Sequence, residues 1–508
     1  MSKKLISALL VAMSPVAASA AKPIEIEYSA TALGAASTGD FAPSMIASWR
    51  NGILSRKNTA MVDICAIKKL DTGSRFSWAA GVELAADYSS ATDYERYDAG
   101  SNTWGYSRQR PAAAFIQQLY GEVKYRQVYL TVGQKNPESY FVNGLVSSGD
   151  LARSNNARGI PGVEAGFLGF QNIPFTNGWV QIDGAISYGR FTDDGYRLKQ
   201  YNYYNDLLAT DLLYTYKRCH FRTNPEKPFS ATIGIQSGGL FGGYTKWYER
   251  GKLKREEKHG AGLRDFFDMF LPMEGNGDAY YKGSSLGSID LKFRYRLHSG
   301  AEISAYVQNP WDDGSGLGKL NGWDGLWGIA YHSPERGIIT DAAIEWLDFT
   351  NESGPIPWEP GDYPGTSLTQ WTSGGDNYYN NDMYGAYANY GMAIATPFLV
   401  SPVYNLDGTP MFAHNMTRGV HAAIAGAIGN DVDWRLMYSY QQAWGMGRSP
   451  SAHCFINNSA MAEATWRADR LLKGLSLKAQ AAFDTGSLRG DTFGMSLSVR
   501  YSGSIITK

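Results

Sequence analysis

The sequence predicts an all-β fold, an antiparallel transmembrane barrel of about eighteen strands. Three observations predict it: long segments alternate with a period of two, tight turns alternate with long loops, and no apolar run of helix-spanning length follows the N-terminus. Composition agrees. Only 19% of the 508 residues are charged, against roughly 25% in soluble proteins, while Tyr numbers 33 and Gly 57. The net charge of −1 provides no sequence-wide basic field for nucleic acid.

The first twenty residues read as an export signal. Lys3 and Lys4 form a basic start, Leu5 to Ala18 an apolar stretch, and Ala18-Ser19-Ala20 before Ala21 the small-x-small pattern of a cleavage site. The expectation is a signal peptide over 1–20 and a single outer-membrane barrel domain over 21–508. Met392 to Tyr404 is the longest later apolar candidate, and Pro397 and Pro402 break it. Cys65, Cys219 and Cys454 are odd in number and scattered, so they read as free packing thiols rather than a disulfide framework or metal site.

The period-two signal appears first at Phe76–Tyr88, where Phe76, Trp78, Ala80, Val82, Leu84, Ala86 and Tyr88 share one face. Ile289, Leu291, Phe293, Tyr295 and Leu297 alternate with Asp290, Lys292, Arg294, Arg296 and His298. Phe493, Met495, Leu497, Val499 and Tyr501 do the same near the C-terminus, and Val180–Gly189, Phe229–Gln236 and Leu475–Asp484 repeat the theme. Successive side chains of a strand leave opposite faces, so this pattern is the strand signature. The longest runs suit a tilted strand crossing a bilayer, about nine to eleven residues, better than soluble strands of about five or six.

Connections separate a membrane barrel from a soluble sandwich. Asp71–Ser74, Arg126-Gln127, His298–Gly300 and Ser333–Gly337 read as tight turns, with long loops near 89–113, 136–161, 239–286 and 350–383. Magnitude then assigns the faces. A Lys or Arg on lipid at mid-depth costs roughly 2–4 kcal/mol, so Lys292, Arg294 and Arg296 line the interior as a ladder and the Ile289–Leu297 face meets lipid. Tyr88, Tyr125, Tyr188, Trp434 and Tyr501 at strand ends fit aromatic girdles. Eighteen strand-like segments lie between Met61 and Tyr501, with one more at Ile24–Leu33. A single-chain barrel closes on an even number, so one segment is surplus, and 384–434 is the suspect region.

Gly144-Leu-Val-Ser-Ser-Gly-Asp-Leu-Ala-Arg-Ser-Asn-Asn-Ala-Arg-Gly-Ile-Pro-Gly-Val-Glu164 resembles the signature of the Wzi-type capsule-assembly outer-membrane family, in the branch found in Bacteroides-like bacteria. Ser154-Asn155-Asn156-Ala157-Arg158 followed by Ile160-Pro161 is its core. Gly178-Trp179, Ser187-Tyr188-Gly189, Asp265-Phe266-Phe267, Leu286-Gly287-Ser288, Gly374–Asn380 and Ser401-Pro402-Val403-Tyr404-Asn405 follow in the same order. The resemblance implies an eighteen-stranded barrel with a plugged lumen that associates with capsular or other surface polysaccharide, and it carries over no catalytic residues and no cofactor.

The residues allow a matching mechanism. Tyr363–Tyr390 concentrates Trp371, Tyr378, Tyr379, Tyr384, Tyr387 and Tyr390 with Asp376, Asn377, Asn380, Asn381 and Asp382. Flat rings pack on sugar C–H faces while carboxamides and carboxylates bond hydroxyls, so Trp371, Asp376, Asn377, Tyr378, Tyr379 and Asn380 are the candidate glycan site. Tyr201, Tyr203 and Tyr204 have similar chemistry. The bland reading makes both sets self-packing loop residues. Arg153, Asn155, Asn156 and Arg158 form a signature loop whose arginines either grip acidic sugars or pin the loop to wall carboxylates; pinning is favoured. Gly251–Met273 carries Leu263, Phe266, Phe267, Met269 and Phe270 at helical spacing, a short packing helix in a loop or plug. His421 has no assignable Ser or Asp partner, and no HExxH, GxSxG or P-loop context occurs.

Three function classes follow. A non-enzymatic barrel that holds surface polysaccharide, with outer-membrane lipids around it, predicts a blocked lumen and an aromatic, acidic outer surface. A porin or sugar-uptake channel would use Lys292, Arg294 and Arg296 to attract anions. An outer-membrane hydrolase or acyltransferase would need a Ser/His or comparable pair near the interface, and none stands out.

Overall fold

The computed structural model describes residues 23–270, 283–312, 314–352, 376–447 and 449–507. The expected signal peptide lies outside the described residues. The wall begins with β1 (Ile24–Phe41), β2 (Arg56–Lys68), β3 (Phe76–Ser89), β4 (Ala114–Tyr125) and β5 (Val128–Gln134). It continues with β6 (Gly162–Phe167, resumed at Gln171–Asn172), β7 (Val180–Arg190), β8 (Leu213–Thr223) and β9 (Phe229–Phe241). Then come β10 (Gly283–Arg296), β11 (Glu302–Trp311), β12 (Gly325–His332), β13 (Asp341–Asp348) and β14 (Thr417–Ile428). The last four are β15 (Val432–Met446), β16 (Ser449–Arg467), β17 (Leu475–Thr485) and β18 (Thr492–Thr507).

Each strand pairs antiparallel with the next, and β18 returns to β1 in a register running from Ile24↔Thr507 to Ser37↔Gly494. The result is a closed eighteen-stranded barrel, with its edges abolished by closure. The N-terminal segment at Ile24–Leu33 is therefore a true wall strand, extended to Phe41. The surplus segment falls where it was suspected. Residues 384–416 contain only a two-residue pairing, Ala388–Asn389 with Met392–Ala393, before β14 begins.

The period-two faces emerge as expected. Phe76, Trp78, Leu84 and Tyr88 are exposed on the outside of β3, while Ser77, Ala79, Ala85 and Asp87 are buried within. Phe293 and Tyr295 of β10 and Met495, Leu497 and Tyr501 of β18 are exposed as well. An apolar exterior of this extent is what hydrocarbon requires of a spanning wall. Phe76 beside Tyr125 and Phe229 beside Tyr295 place rings at one rim.

That rim carries the start of β1, the end of β18 and the short turns, including Arg126-Gln127 between β4 and β5 and 429–431 between β14 and β15. The opposite rim carries the long connections: 90–113, 135–161, 191–212, 242–282 and 349–416. Short periplasmic turns with long outer loops orient the barrel, so the second rim faces outward. The loop after β9 forms a hairpin, β19 (Tyr244–Glu249) with β20 (Lys252–Lys258), and then the helix α1 (Leu263–Asp268). This helix is not in the plug. Phe266 stacks at 3.5 Å on Tyr188, an outward ring of β7, while Leu263 and Phe267 stay exposed. The cysteines are free, Cys65 and Cys219 half-buried and Cys454 exposed, so the last is no packing thiol.

Ile344 of β13 lies on the outer face beside Ile329 of β12, and both are exposed. Replacing Ile344 by Arg is expected to destabilise the barrel by about 2–4 kcal/mol. Denaturant titration into lipid vesicles, read by heat-modifiable gel migration, checks this; an unchanged midpoint would mean that this face does not meet hydrocarbon.

Candidate functional site

An inward-facing polar side chain on a wall strand has no bulk water above it unless the lumen is open, so it needs a partner. Here the partners are loops. Residues 135–161 and 376–416 fold into the barrel, and Glu345 of β13 grips the first of them. Its carboxylate accepts from Ser147 Oγ at 2.6 Å, Ser148 N at 2.7 Å and the wall residue Tyr306 OH at 2.5 Å. Asp484 of β17 accepts from Ser44 N and Oγ at 2.6 and 2.7 Å, holding the β1–β2 connection. Asp341 accepts from Asn143 Nδ2 at 2.8 Å, and Gln441 donates to the Phe398 carbonyl at 2.8 Å.

The deepest anchor is Asp150, which is fully buried. Gln236 and Gln308, on β9 and β11, bridge its carboxylate to Asp290 of β10, which also meets His220 Nε2 at 2.7 Å. Burial, and after it the nearby Asp290, pushes the Asp150 carboxyl above the ordinary range. His421 Nδ1 lies 2.7 Å from Ser439 Oγ, and its Nε2 lies 3.2 Å from the Val146 carbonyl. A carbonyl there demands an Nε2–H, so Nδ1 accepts from the serine; the pair holds the loop. The serine partner was invisible in the sequence because it comes from the adjacent strand β15.

The signature loop is part of this plug. Arg153 Nη1 donates to Glu164 of β6 at 2.6 Å, and its guanidinium stacks 3.8 Å from the Tyr216 ring centroid. Burial opposes its charge, but Glu164 together with Tyr216 and Tyr214 outweighs that and holds it well above the ordinary range. The loop is thus pinned to a wall carboxylate. Asn156 donates to the Ala393 carbonyl at 3.0 Å, and Asn155 reaches the Trp49 carbonyl at 3.4 Å. Arg158 stacks between Phe115 and Tyr390, at 4.0 and 4.4 Å, and makes no ion pair among the described residues. Burial lowers its pKa from the ordinary value.

The candidate glycan residues are placed differently from the expectation. Trp371 lies outside the described residues. Asp376, Asn377, Tyr378, Tyr379 and Asn380 are all buried, so they form no outer surface but the core of the second plug segment. Their chemistry is spent internally. Asn380 bonds both the N–H and the carbonyl of Phe412, at 2.9 and 3.0 Å, and Asn377 accepts from Asn415 at 2.6 Å. Tyr379 donates to the Leu151 carbonyl at 3.0 Å, Tyr378 accepts from Asn321 at 3.2 Å, and Tyr384 and Tyr387 are buried too. An asparagine amide mimics a peptide group, so Asn-rich segments can satisfy irregular backbone inside a barrel as readily as sugar hydroxyls.

The interior ladder is partnered, in two ways. Lys292 donates to the Phe141 carbonyl of the plug and lies 4.3 Å from that ring. Arg294 and Arg296, nearer the periplasmic rim, are held by Glu302 of the neighbouring strand rather than by the plug, and Arg294 also donates to the Pro225 carbonyl at 2.6 Å. Beneath the plug, against β4 to β7, a cavity of about 720 Å³ reaches towards the periplasmic turns at Thr72 and Gly169. Of its cations, Lys135, Arg153 and Arg218 pair with Glu122, Glu164 and Asp183, while Arg158 packs against rings.

The exposed aromatic surface lies on the outer rim instead. The β3–β4 loop forms a hairpin, Thr92–Asp98 with Thr103–Gln109, carrying Trp104 and Tyr106, which are 50% and 74% exposed. Trp104 packs on Tyr97 at 5.3 Å and on Tyr204 at 5.0 Å, with Tyr97 and Tyr204 4.8 Å apart. Tyr203 and Tyr248 continue the cluster over the buried Tyr201. Tyr203 and Tyr204 were candidates from the sequence; Trp104 and Tyr106 were passed over, although 88–106 is as rich in rings as 363–390.

No family model matches the chain, and no curated relative matches it in sequence. Among solved structures, Wzi from Escherichia coli, an outer-membrane protein involved in group 1 capsule assembly and a carbohydrate-binding β-barrel, has a TM-score of 0.54 at 11% identity. The match covers 93% of this chain and 83% of that one. OpdK with vanillate and OccK5, both from Pseudomonas aeruginosa, have TM-scores of 0.42 and 0.41 at 11% and 8% identity. Each match covers 95% of this chain and 98% of the other. The Wzi likeness shows the fold, that of an outer-membrane β-barrel.

Replacing Glu345 by Ala leaves three buried donors unmet, at roughly 1–3 kcal/mol for each. The expected outcome is local: faster proteolysis between Asn143 and Leu151 in the folded, detergent-solubilised protein, with the heat-modifiable barrel retained. Unchanged cleavage would show that the carboxylate does not anchor the plug.

Proposed function

We propose that the chain is a non-enzymatic outer-membrane barrel of the Wzi-type family that holds capsular or other surface polysaccharide at the cell exterior. The observation that carries this reading is the ring cluster on the outer rim, where the exposed Trp104 and the half-buried Tyr204 pack edge-on and tilted over the buried Tyr97. Amphipathic rings offer flat faces to sugar C–H groups at small entropic cost. The plug supports it, since two loop segments occupy the lumen and their backbone groups are committed to the wall. The resemblance of Ser154–Arg158 to the family signature supports it as well, because that segment builds the plug. No catalytic role is assigned: His421, buried beside Ser439, holds the Val146 carbonyl.

A transport function is the second reading, and the cavity below the plug favours it. Planar-bilayer recordings separate the two, because a large steady current from purified protein would support a channel and sink the holding role. The binding arm is direct. Purified protein is expected to bind the capsular polysaccharide of its own host, and Trp104→Ala to weaken that binding about tenfold, a loss of about 1.4 kcal/mol. Full affinity in the Trp104 variant would move the site elsewhere.

A further inference from the structure

We propose that the outer platform selects acidic polysaccharide, with Arg250 and Lys252 reading sugar carboxylates beside the rings; this rests on the glycan-holding reading. The β19–β20 hairpin closes through the two-residue turn Arg250-Gly251, with φ of 47° and 74°. A turn of this mirror-image type favours Asn, Asp or Gly at its first position, so an arginine in the left-handed region is locally disfavoured. What it gains is position.

The turn is docked on the platform. Gly251 N donates to the Tyr204 carbonyl at 3.0 Å, and Arg250 N donates to Asn205 Oδ1 at 2.7 Å. A Cβ on Gly251 would stand 2.6 Å from Tyr97 Cδ1 and 2.7 Å from Ala99 Cβ, so only glycine lets the tip approach the rings this closely. Arg250 and Lys252 flank that glycine and are exposed.

The neighbouring cations are already engaged. Lys246 pairs with Glu256, Lys254 with Glu249 and Arg255 with Glu257, while Arg96 donates to the carbonyls of Leu198 and Lys199. Arg250 and Lys252 make no ion pair among the described residues. The nearby acid Asp98 is used by its own turn, accepting from Gly100 N and Ser101 Oγ at 2.8 Å. Between Tyr244 and Lys258 the chain carries six Lys or Arg against three Glu, in a protein of net charge −1. A uronate unit has an apolar C–H face and a carboxylate on one edge. Laid on Trp104, it would direct that carboxylate to the guanidinium fork or the ammonium group alongside.

The full-length protein in detergent, titrated with polygalacturonate and with dextran, tests this. The acidic polymer is expected to bind about tenfold more tightly at low ionic strength, with the advantage shrinking as salt screens it. Arg250→Ala with Lys252→Ala should erase the preference, while Trp104→Ala weakens both polymers; heat-modifiable migration reports that each variant is folded. Equal affinity for the two polymers, or a preference that survives the double substitution, overturns the proposal and leaves glycan holding intact. Binding of neither polymer overturns both.

Discussion

The structure depends on a single constraint: hydrocarbon favours the apolar face of each wall strand, so most polar side chains of the wall are driven to the same enclosed side. Once there, these groups cannot remain unpartnered without costing several kcal/mol between them. A wide barrel can satisfy them with water, as a channel does, or with protein. In this chain Glu345, Asp484 and Asp341 are met by loop hydroxyls and amides at 2.6–2.8 Å, and Asp290 is joined through the wall residue Gln236 to the loop carboxyl of Asp150. The plug therefore follows from the composition of the wall as much as from its own sequence.

This explains what was legible. The wall repeats one rule, and Ile289–His298 or Phe76–Tyr88 display it within ten to thirteen residues, so face, direction and turn position could be read locally. Closure was legible only as parity, because the pairing of Ile24 with Thr507 spans nearly the whole chain. The plug has no period. Ser147 meets Glu345, 198 residues away, and Ser154 meets Ala395, 241 residues away. The pairing of Arg153 with a wall carboxylate was readable because Glu164 is only eleven positions on.

The candidate site was legible as chemistry but not as place. Tyr378 and Tyr379 share their residue type with Tyr203 and Tyr204, and both groups sit among asparagines; the first is core and the second is surface. Ring density cannot distinguish these outcomes, since a tyrosine with its hydroxyl bonded to the Leu151 carbonyl is as well satisfied as one on the rim. What distinguishes them is the loop that carries them. Residues 376–416 dip into the lumen before the chain rejoins β13 through its neighbour β14, whereas the shorter loop after β3 returns on itself as a hairpin at the rim.

Yet the two regions are not independent. Arg56 of β2 is buried at the base of the outer hairpin, donating to Thr92 Oγ1 at 2.6 Å, Tyr94 OH at 2.9 Å and Gln109 Oε1 at 3.2 Å. Tyr94 in turn donates to the Val403 carbonyl at 2.7 Å, Glu95 N to Leu406 and Tyr97 N to Asn202, both at 2.8 Å. Asn202 bonds Asp407 and Gly408, so the ring cluster is tied at several points to the plug segment 402–408. A surface held this way loses little conformational freedom when a ligand settles on it, which favours retention over release. Withdrawing that plug segment to open a pore would break the same hydrogen bonds that position Tyr97 beside Trp104. In this molecule, filling the lumen and building the outer platform are a single structural act, and a static holding role uses both while transport would sacrifice one.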